Sequence, residues 1–152
     1  MYIARGLKFP DLEDIHSWLV DDYNAKLKAG LLYDFMTLVE KANDCWGLFH
    51  NDMCIGVAYF KVVAGAINIE IVSVHPDYRG KGLGRNFVLT LISFIKSQEK
   101  IHTMRLNSLP DSVKFWEHIG FVKSRYQPVS TSIKMIWEKL IEYDEIPMIE
   151  IV

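Results

Sequence analysis

The chain is poor in cysteine: among 152 residues only Cys45 and Cys54 occur. Two isolated cysteines read as small apolar residues of a protein in a reducing, cytoplasmic setting. The opening Met1-Tyr2-Ile3-Ala4-Arg5 has no apolar core of a secretory signal. No apolar run approaches the ~18 residues that a membrane span needs, so no membrane partner is expected. An excess of one charge is missing too. There are 17 Lys and Arg against 19 Asp and Glu, a formal net charge of −2. That balance gives no basis for expecting a nucleic-acid or membrane-surface partner. His16, His50, His75, His102 and His118 have no metal-ligand spacing with one another or with the cysteines, so no metal is expected. Repeats, linkers and low-complexity segments are absent.

What remains is ordinary for a globular domain: 50% hydrophobic and 24% charged residues, in a length that suits one domain with a real core. The chain is organised around residues 67–98. Ile67-Asn68-Ile69-Glu70-Ile71-Val72-Ser73-Val74 puts three isoleucines on one face of a strand. Pro76 lacks an N–H and stops the ladder. Arg79-Gly80-Lys81-Gly82-Leu83-Gly84-Arg85 follows, and a long apolar helix starts at once. Glycines at alternate positions let backbone N–H groups turn toward one point. The helix start adds unpaired N–H groups and the positive end of its dipole. The expected result is an anion cradle suited to phosphate, ringed by Arg79, Lys81 and Arg85.

Two familiar phosphate motifs do not fit. A P-loop needs Lys-Ser/Thr after its last glycine, and the dinucleotide fingerprint needs G-x-G-x-x-G, whereas the spacing here is G-x-G-x-G. The segment does resemble the acyl-CoA loop of the GNAT-type N-acetyltransferases, Q/R-x-x-G-x-G/A, with Arg79, Gly82 and Gly84 on its three defined positions. The lead-in Val74-His75-Pro76-Asp77-Tyr78 is similar as well. A second motif lies downstream. Ser112 to Phe121 resembles the family's A-x-x-F-Y-x-K-x-G-F: Phe115, Gly120 and Phe121 match, while Ser112, Trp116 and His118 replace Ala, Tyr and Lys.

The rest of the chain is expected to supply the remaining elements. Tyr2 to Arg5 reads as a short strand. Pro10-Asp11 opens a helix with Asp14 close to a capping-box position, with Leu12, Ile15, Trp18 and Leu19 on its buried face, and Gly30 ends it. Leu32, Phe35, Met36 and Val39 mark a second amphipathic helix. Residues 46–50 and 54–62 form a hairpin through Asn51-Asp52. Residues 102–107, 121–122 and 130–140 are strands, and a helix runs from Pro110 to Ile119. A strand, helix and strand within about 40 residues is a right-handed crossover, which makes the strands at 67–74 and 102–107 parallel.

This order matches the GNAT one over residues 1–140. The resemblance therefore implies a three-layer α/β fold, with a mixed twisted sheet of six to seven strands, a central splayed parallel pair and about four helices. Residues 141–152 lie outside it as an acidic and apolar tail: Glu142, Asp144, Glu145 and Glu150 are there with no base, leaving about +2 on residues 1–141. The apolar end, Ile146 to Val152, is expected to dock on its own sheet or to pair with a second copy in a homodimer.

By the same resemblance, the chain would move an acetyl group from acetyl-CoA to an amine. Val72, Ser73 and Val74 would meet the pantetheine arm, residues 79–85 would hold the pyrophosphate, and Asn107, Phe115 and Trp116 would lie near the arm and the thioester. Glu70, a lone carboxylate on an apolar strand, is the expected general base, because an alkylamine is mostly protonated at neutral pH. A backbone N–H of Val72 or Val74 could polarise the thioester oxygen. Trp116 stands where the family often has a tyrosine acid, and an indole cannot serve as one; Tyr78 and Tyr126 are the alternatives. The family's acceptor pocket would fall between residues 21 and 35, where Asp22, Tyr23, Asp34 and Phe35 combine acid and aromatic character suited to a cationic amine. Small polyamines, aminoglycoside-like compounds, amino acids and peptide or protein amines all stay open as acceptors. The alternative is a CoA-binding sensor or interaction module without turnover, and a third reading is a structural domain whose loop binds another anion or nothing.

Overall fold

The computed structural model describes residues 1–21, 28–127, 130, 132–137 and 149–152. Its strands are β1 (Tyr2–Gly6), β2 (Cys45–His50), β3 (Met53–Val63), β4 (Ala66–Val74), β5 (Thr103–Ser108), β6 (Phe121–Lys123), β7 (Ile133–Trp137) and β8 (Ile149–Ile151). They form one mixed sheet in the order β6-β7-β5-β4-β3-β2-β1-β8. The α-helices are α1 (Leu12–His16), α2 (Lys28–Glu40), α3 (Leu83–Gln98) and α4 (Val113–Ile119). Among the described residues eight strands replace the six to seven expected; the additional one is β8, parallel to β1 through Tyr2↔Ile149 to Ala4↔Ile151. No helix among the described residues is long and apolar enough to cross a membrane. The chain divides into two compact units, Met1–Tyr59 with Ile71–Val88 and Pro147–Val152, and Phe60–Glu70 with Leu89–Ile146.

In the first unit β2 and β3 form the expected hairpin. Asn51 and Asp52 both take positive φ, 50° and 65°, as a two-residue turn matched to strand twist requires. The ladder then skips: Phe49 faces Cys54 but Leu48 faces Gly56, so Ile55 is the extra residue of a bulge. The groups freed there are taken up elsewhere. The Cys54 N–H donates to Asp14 Oδ2 at 3.1 Å, the Trp18 indole N–H donates to the Cys54 carbonyl at 2.9 Å, and the Ile55 carbonyl accepts from the His75 N–H at 2.7 Å. Asp14 is thus spent on β3 and closes no capping box. Around these bonds, Leu12, Ile15, Trp18, Leu19, Leu38, Phe49, Val57 and Ile71 pack into a buried core.

Three expectations about the helices are corrected. The first helix is short: after α1 the backbone widens into a π-helical turn over Ser17–Asp21. Gly30 lies inside α2 and terminates nothing. Among the described side chains of α2, Leu38 is fully buried and Phe35 packs partly buried against the same core as expected, whereas Met36 and Val39 are exposed; the side chain of Leu32 lies outside the described residues.

In the second unit β5 pairs in parallel with β4, from Ala66↔Thr103 to Ile69↔Leu106, as the crossover rule requires. On its other side β5 pairs antiparallel with β7, and β7 with β6. Burial alternates with period two. Ile67 and Ile69, Met104 and Leu106, and Met135 are buried, while Glu70, Arg105, Asn107 and Ile136 are exposed and Asn68 and Lys134 half-buried. One face of this part of the sheet is therefore core and the other is open and polar.

Candidate active site

The glycine loop is a built structure. After β4, Pro76–Tyr78 makes a 3₁₀ turn capped by His75, whose Nδ1 accepts from the Asp77 N–H at 3.0 Å. That bond makes Nδ1 the unprotonated nitrogen, so the Asp77 carboxylate 4.0 Å away gains no ion pair with it. The Tyr78 hydroxyl shares a hydrogen bond of 2.9 Å with His50 Nδ1 on β2, and the Tyr78 ring stands edge-on to both His50 and His75. Arg79 reaches back along the strand and donates from Nε to the Val74 carbonyl at 2.8 Å. Burial of that guanidinium pulls its pKa below the ordinary arginine value.

Gly80 and Gly82 both adopt left-handed backbone, φ 78° and 76°. A side chain there would be strained whatever the space around it. The Gly82 carbonyl accepts the first bond of α3, from the Asn86 N–H at 3.1 Å. Leu83, Gly84 and Arg85 are the opening residues of α3, where backbone N–H groups have no partner within the helix. A Cβ on Gly82 would sit 3.5 Å from Arg85 Nη2 and 4.0 Å from Asn86 Nδ2. Lys81 places its ammonium 5.8 Å from the centre of the Tyr78 ring. Left-handed Gly80 and Gly82, on either side of Lys81, lead into a helix start whose first N–H groups have no partner within the helix, the kind of backbone that a phosphate site uses.

Asn86 was not foreseen. It is fully buried, and neither its amide oxygen nor its amide nitrogen has a hydrogen-bond partner among the described residues. A polar residue two places after the last glycine of the loop was the available signal.

The remaining expected residues fall in several places. Val74 is buried, while Val72 and Ser73 are half-buried. The β4–β5 ladder ends at Ile69↔Leu106, although β4 continues to Val74. Glu70 is exposed and makes no ion pair among the described residues. It lines a cavity of about 330 Å³ on the open face, together with Asn68, Arg105, Asn107 and Lys134. Of these five only Glu70 and Asn107 were anticipated; the strand alternation at Asn68, Glu70, Arg105 and Asn107 carried the signal.

Trp116 is buried, edge-on to Phe115 at 4.9 Å and to Phe121 at 5.8 Å. Tyr126 is 74% exposed. Phe35 stands edge-on to His16, with ring centres 5.0 Å apart. Asp34 is half-buried, and loss of solvent raises its pKa. Asp22 and Tyr23 lie outside the described residues. The thiols of Cys45 and Cys54 are free and buried, and burial pushes both up to about 12. Among the described residues no group of side chains could hold a metal ion.

The sequence pattern of the Acetyltransferase (GNAT) family matches residues 12–121. The chain belongs to this family. A relative, the uncharacterized N-acetyltransferase ycf52 of Pyropia yezoensis, is 40% identical over 52 residues, which are 34% of this chain and 29% of that protein. The chain thus matches under a third of that relative's length. Among solved structures, the PaiA N-acetyltransferase of Thermoplasma acidophilum, determined with coenzyme A, superposes with a TM-score of 0.73 at 18% identity, covering 91% of this chain and 99% of that one. The ribosomal-protein-S18-alanine N-acetyltransferase of Escherichia coli gives 0.69 at 18% identity, covering 97% and 100%. At such identities the two structures establish the GNAT fold.

Proposed function

We propose that this chain transfers the acetyl group of acetyl-CoA to an amine. The observation that carries the reading is the end of β4. Its parallel ladder stops at Ile69, yet the strand runs on to Val74 and straight into a loop with two left-handed glycines. Strand backbone without a β5 partner suits an extended amide-bearing arm such as pantetheine, and the loop suits its pyrophosphate. In this reading Val72, Ser73 and Val74 meet the arm and residues 79–85 the pyrophosphate. Arg79 contributes mainly by tying the loop to the strand, since its ε N–H is already on the Val74 carbonyl. Asn107, Phe115 and Trp116 are retained as contacts near the thioester on the family resemblance.

The reaction follows from the groups present. Glu70 takes a proton from the acceptor ammonium. The amine nitrogen attacks the thioester carbon, forming a C–N bond. The C–S bond then breaks, and its electron pair leaves with the CoA sulfur. The nitrogen sheds its second proton and the thiolate ends as a thiol, giving an N-acetyl product and free CoA. No side-chain acid is required, because a thiolate of modest basicity departs unaided. Tyr78 is engaged with His50 and Trp116 has no acidic proton to give. Val72 or Val74 N–H groups would stabilise the oxyanion. Asp34 and Phe35 stay as acceptor contacts, and a reducing, cytoplasmic setting suits the two free thiols. A second copy remains a proposed partner through the edge strand β8.

The test is calorimetric titration of acetyl-CoA, followed by thiol release over an amine panel. Micromolar binding that disappears in folded Gly82→Trp supports the reading. No binding to the wild-type chain overturns it. Binding without thiol release from any amine supports a CoA-binding module, a reading favoured by the burial of Trp116 where a tyrosine acid is common.

A further inference from the structure

The cavity on the open face of the second unit has a charge pattern that a simple amine pocket would not need. Its polar lining comes from three neighbouring strands in known register. Asn68 faces Arg105 across the β4–β5 ladder, and Asn107 faces Lys134 across the β5–β7 ladder. Glu70 lies two residues beyond Asn68, on the same side of β4. The cavity wall therefore runs from a carboxylate on β4, over an amide on β5, to an ammonium on β7, with a guanidinium one step behind. Glu70 lies one residue past the end of the β4–β5 ladder, and Lys134 is held on β7 opposite Asn107, so the acidic and basic groups line one cavity from different strands.

These charges are not neutralising one another. Neither Arg105 nor Lys134 has a carboxylate partner among the described residues, and Glu70 has no cation. Arg105 is nevertheless oriented: its ε N–H donates to Asn68 Oδ1, which leaves the terminal nitrogens of the guanidinium for a second partner. A planar fork held at its root is the arrangement that reads a carboxylate.

We propose that this cavity is the acceptor subsite and that the acceptor is a zwitterion: a small molecule carrying a primary amine and a carboxylate, of amino-acid size. The amine faces Glu70, and the carboxylate lies between Arg105 and Lys134 with Asn107 bridging the two ends. The inference rests on the acetyltransferase reading. It narrows the acceptors by simple electrostatics. A polyamine or an aminoglycoside carries only positive groups and would meet two cations for one carboxylate in this cavity. At about 330 Å³ the cavity is at the small end for organic ligands, which suits one amino acid.

The experiment measures thiol release at saturating acetyl-CoA, with matched pairs of acceptors: each amino acid against its methyl ester and its decarboxylated amine, with spermidine and a short peptide alongside. Binding of the same compounds to the CoA-loaded protein is followed by calorimetry. At least one amino acid is expected to be acetylated, with kcat/KM about 10- to 100-fold above its ester, the loss that follows from deleting a charged hydrogen-bonding partner. Arg105→Met and Lys134→Met should each raise the KM for that amino acid while acetyl-CoA binds as in the wild type. Arg105→Glu should move the preference toward spermidine.

Failure of acetyl-CoA to bind at all would remove the acetyltransferase reading and this inference with it. With acetyl-CoA bound, a preference for spermidine or the peptide overturns this inference alone. So does an amino-acid panel that neither binds nor turns over, or an acceptor KM that moves with Asp34→Asn and ignores both Arg105→Met and Lys134→Met.

Discussion

The glycine loop and the open face of β4, β5 and β7 are two sites built by opposite means. The loop is made of backbone. Its shape depends on two left-handed glycines, and it is tied down by Arg79 on the Val74 carbonyl, Tyr78 on His50 and Asp77 on His75. The open face is made of side chains from three strands, held in place by register and by one bond between Arg105 and Asn68. A backbone site fixes a ligand's shape and tolerates change in the residues between its glycines. A side-chain site fixes a ligand's charges, and each residue in it can be exchanged without disturbing the fold. In the proposed reading acetyl-CoA takes the first kind of site and the acceptor the second.

The sharpest break in that comparison comes from the loop. Gly82→Trp puts a large side chain on a backbone with φ 76°. Acetyl-CoA affinity is expected to fall more than ~100-fold, because both the donor concavity and the first turn of α3 are distorted. Calorimetry checks it, with circular dichroism to confirm folding. Retained micromolar affinity would mean that the loop holds no phosphate. The open face should respond in rate instead. Glu70→Gln keeps size and hydrogen bonding but cannot accept the amine proton, so kcat should drop by about 10²- to 10⁴-fold at unchanged acetyl-CoA affinity. A kcat within threefold of the wild type would take the base role from Glu70.

The same contrast explains what was legible in the sequence. The loop was, because left-handed glycines, a strand-stopping Pro76 and an apolar helix are adjacent in the chain. The parallel β4–β5 pair was also legible, since crossover handedness leaves little choice. The cavity on the open face was not. Asn68, Arg105 and Lys134 meet only after two ladders set their register, and register is a long-range property. The first helices misled for a related reason. Gly30 reads as a helix end by local preference, yet it lies inside α2, where a weak propensity is overridden by surrounding structure. Met36 and Val39 fit the apolar spacing, but the core selects Leu38.

Asn86 sharpens the comparison from inside the loop's own helix. Both of its amide atoms are buried without a partner among the described residues, a cost of about 1–3 kcal/mol. Asn86→Ala removes that cost and improves helix propensity, so the variant should be more stable by roughly 1 kcal/mol in urea unfolding. A loss of stability would show that the packing of this buried side chain outweighs the unpaired amide.

The smallest effect separates two carboxylates of the first unit by sign. Burial raises the pKa of Asp34. Its folded form therefore holds a proton more tightly than the unfolded chain does. Between the ordinary carboxylate value of about 3.9 and the raised folded value, stability falls as pH rises, and the deficit persists at neutral pH. Asp11 behaves in the opposite way. Burial pushes its carboxyl up, but the paired hydrogen bonds from Arg5 at 2.9 and 3.0 Å and the Lys8 N–H outweigh that and hold it below the usual range. Its contribution is present above the ordinary value and is lost as pH falls through the lowered folded pKa. Asp34→Asn should thus be slightly more stable than wild type at pH 7, and Asp11→Asn slightly less, each by under about 1 kcal/mol because solvent screens both groups. Thermal unfolding from pH 3 to 7 distinguishes them. The Asp34→Asn curve should gain on the wild type as pH rises through the window, while the deficit of the Asp11→Asn curve should shrink as pH falls, because the wild type then loses what Asp11 contributes. If both variants shift the same way, half-burial at Asp34 is being offset by a cation.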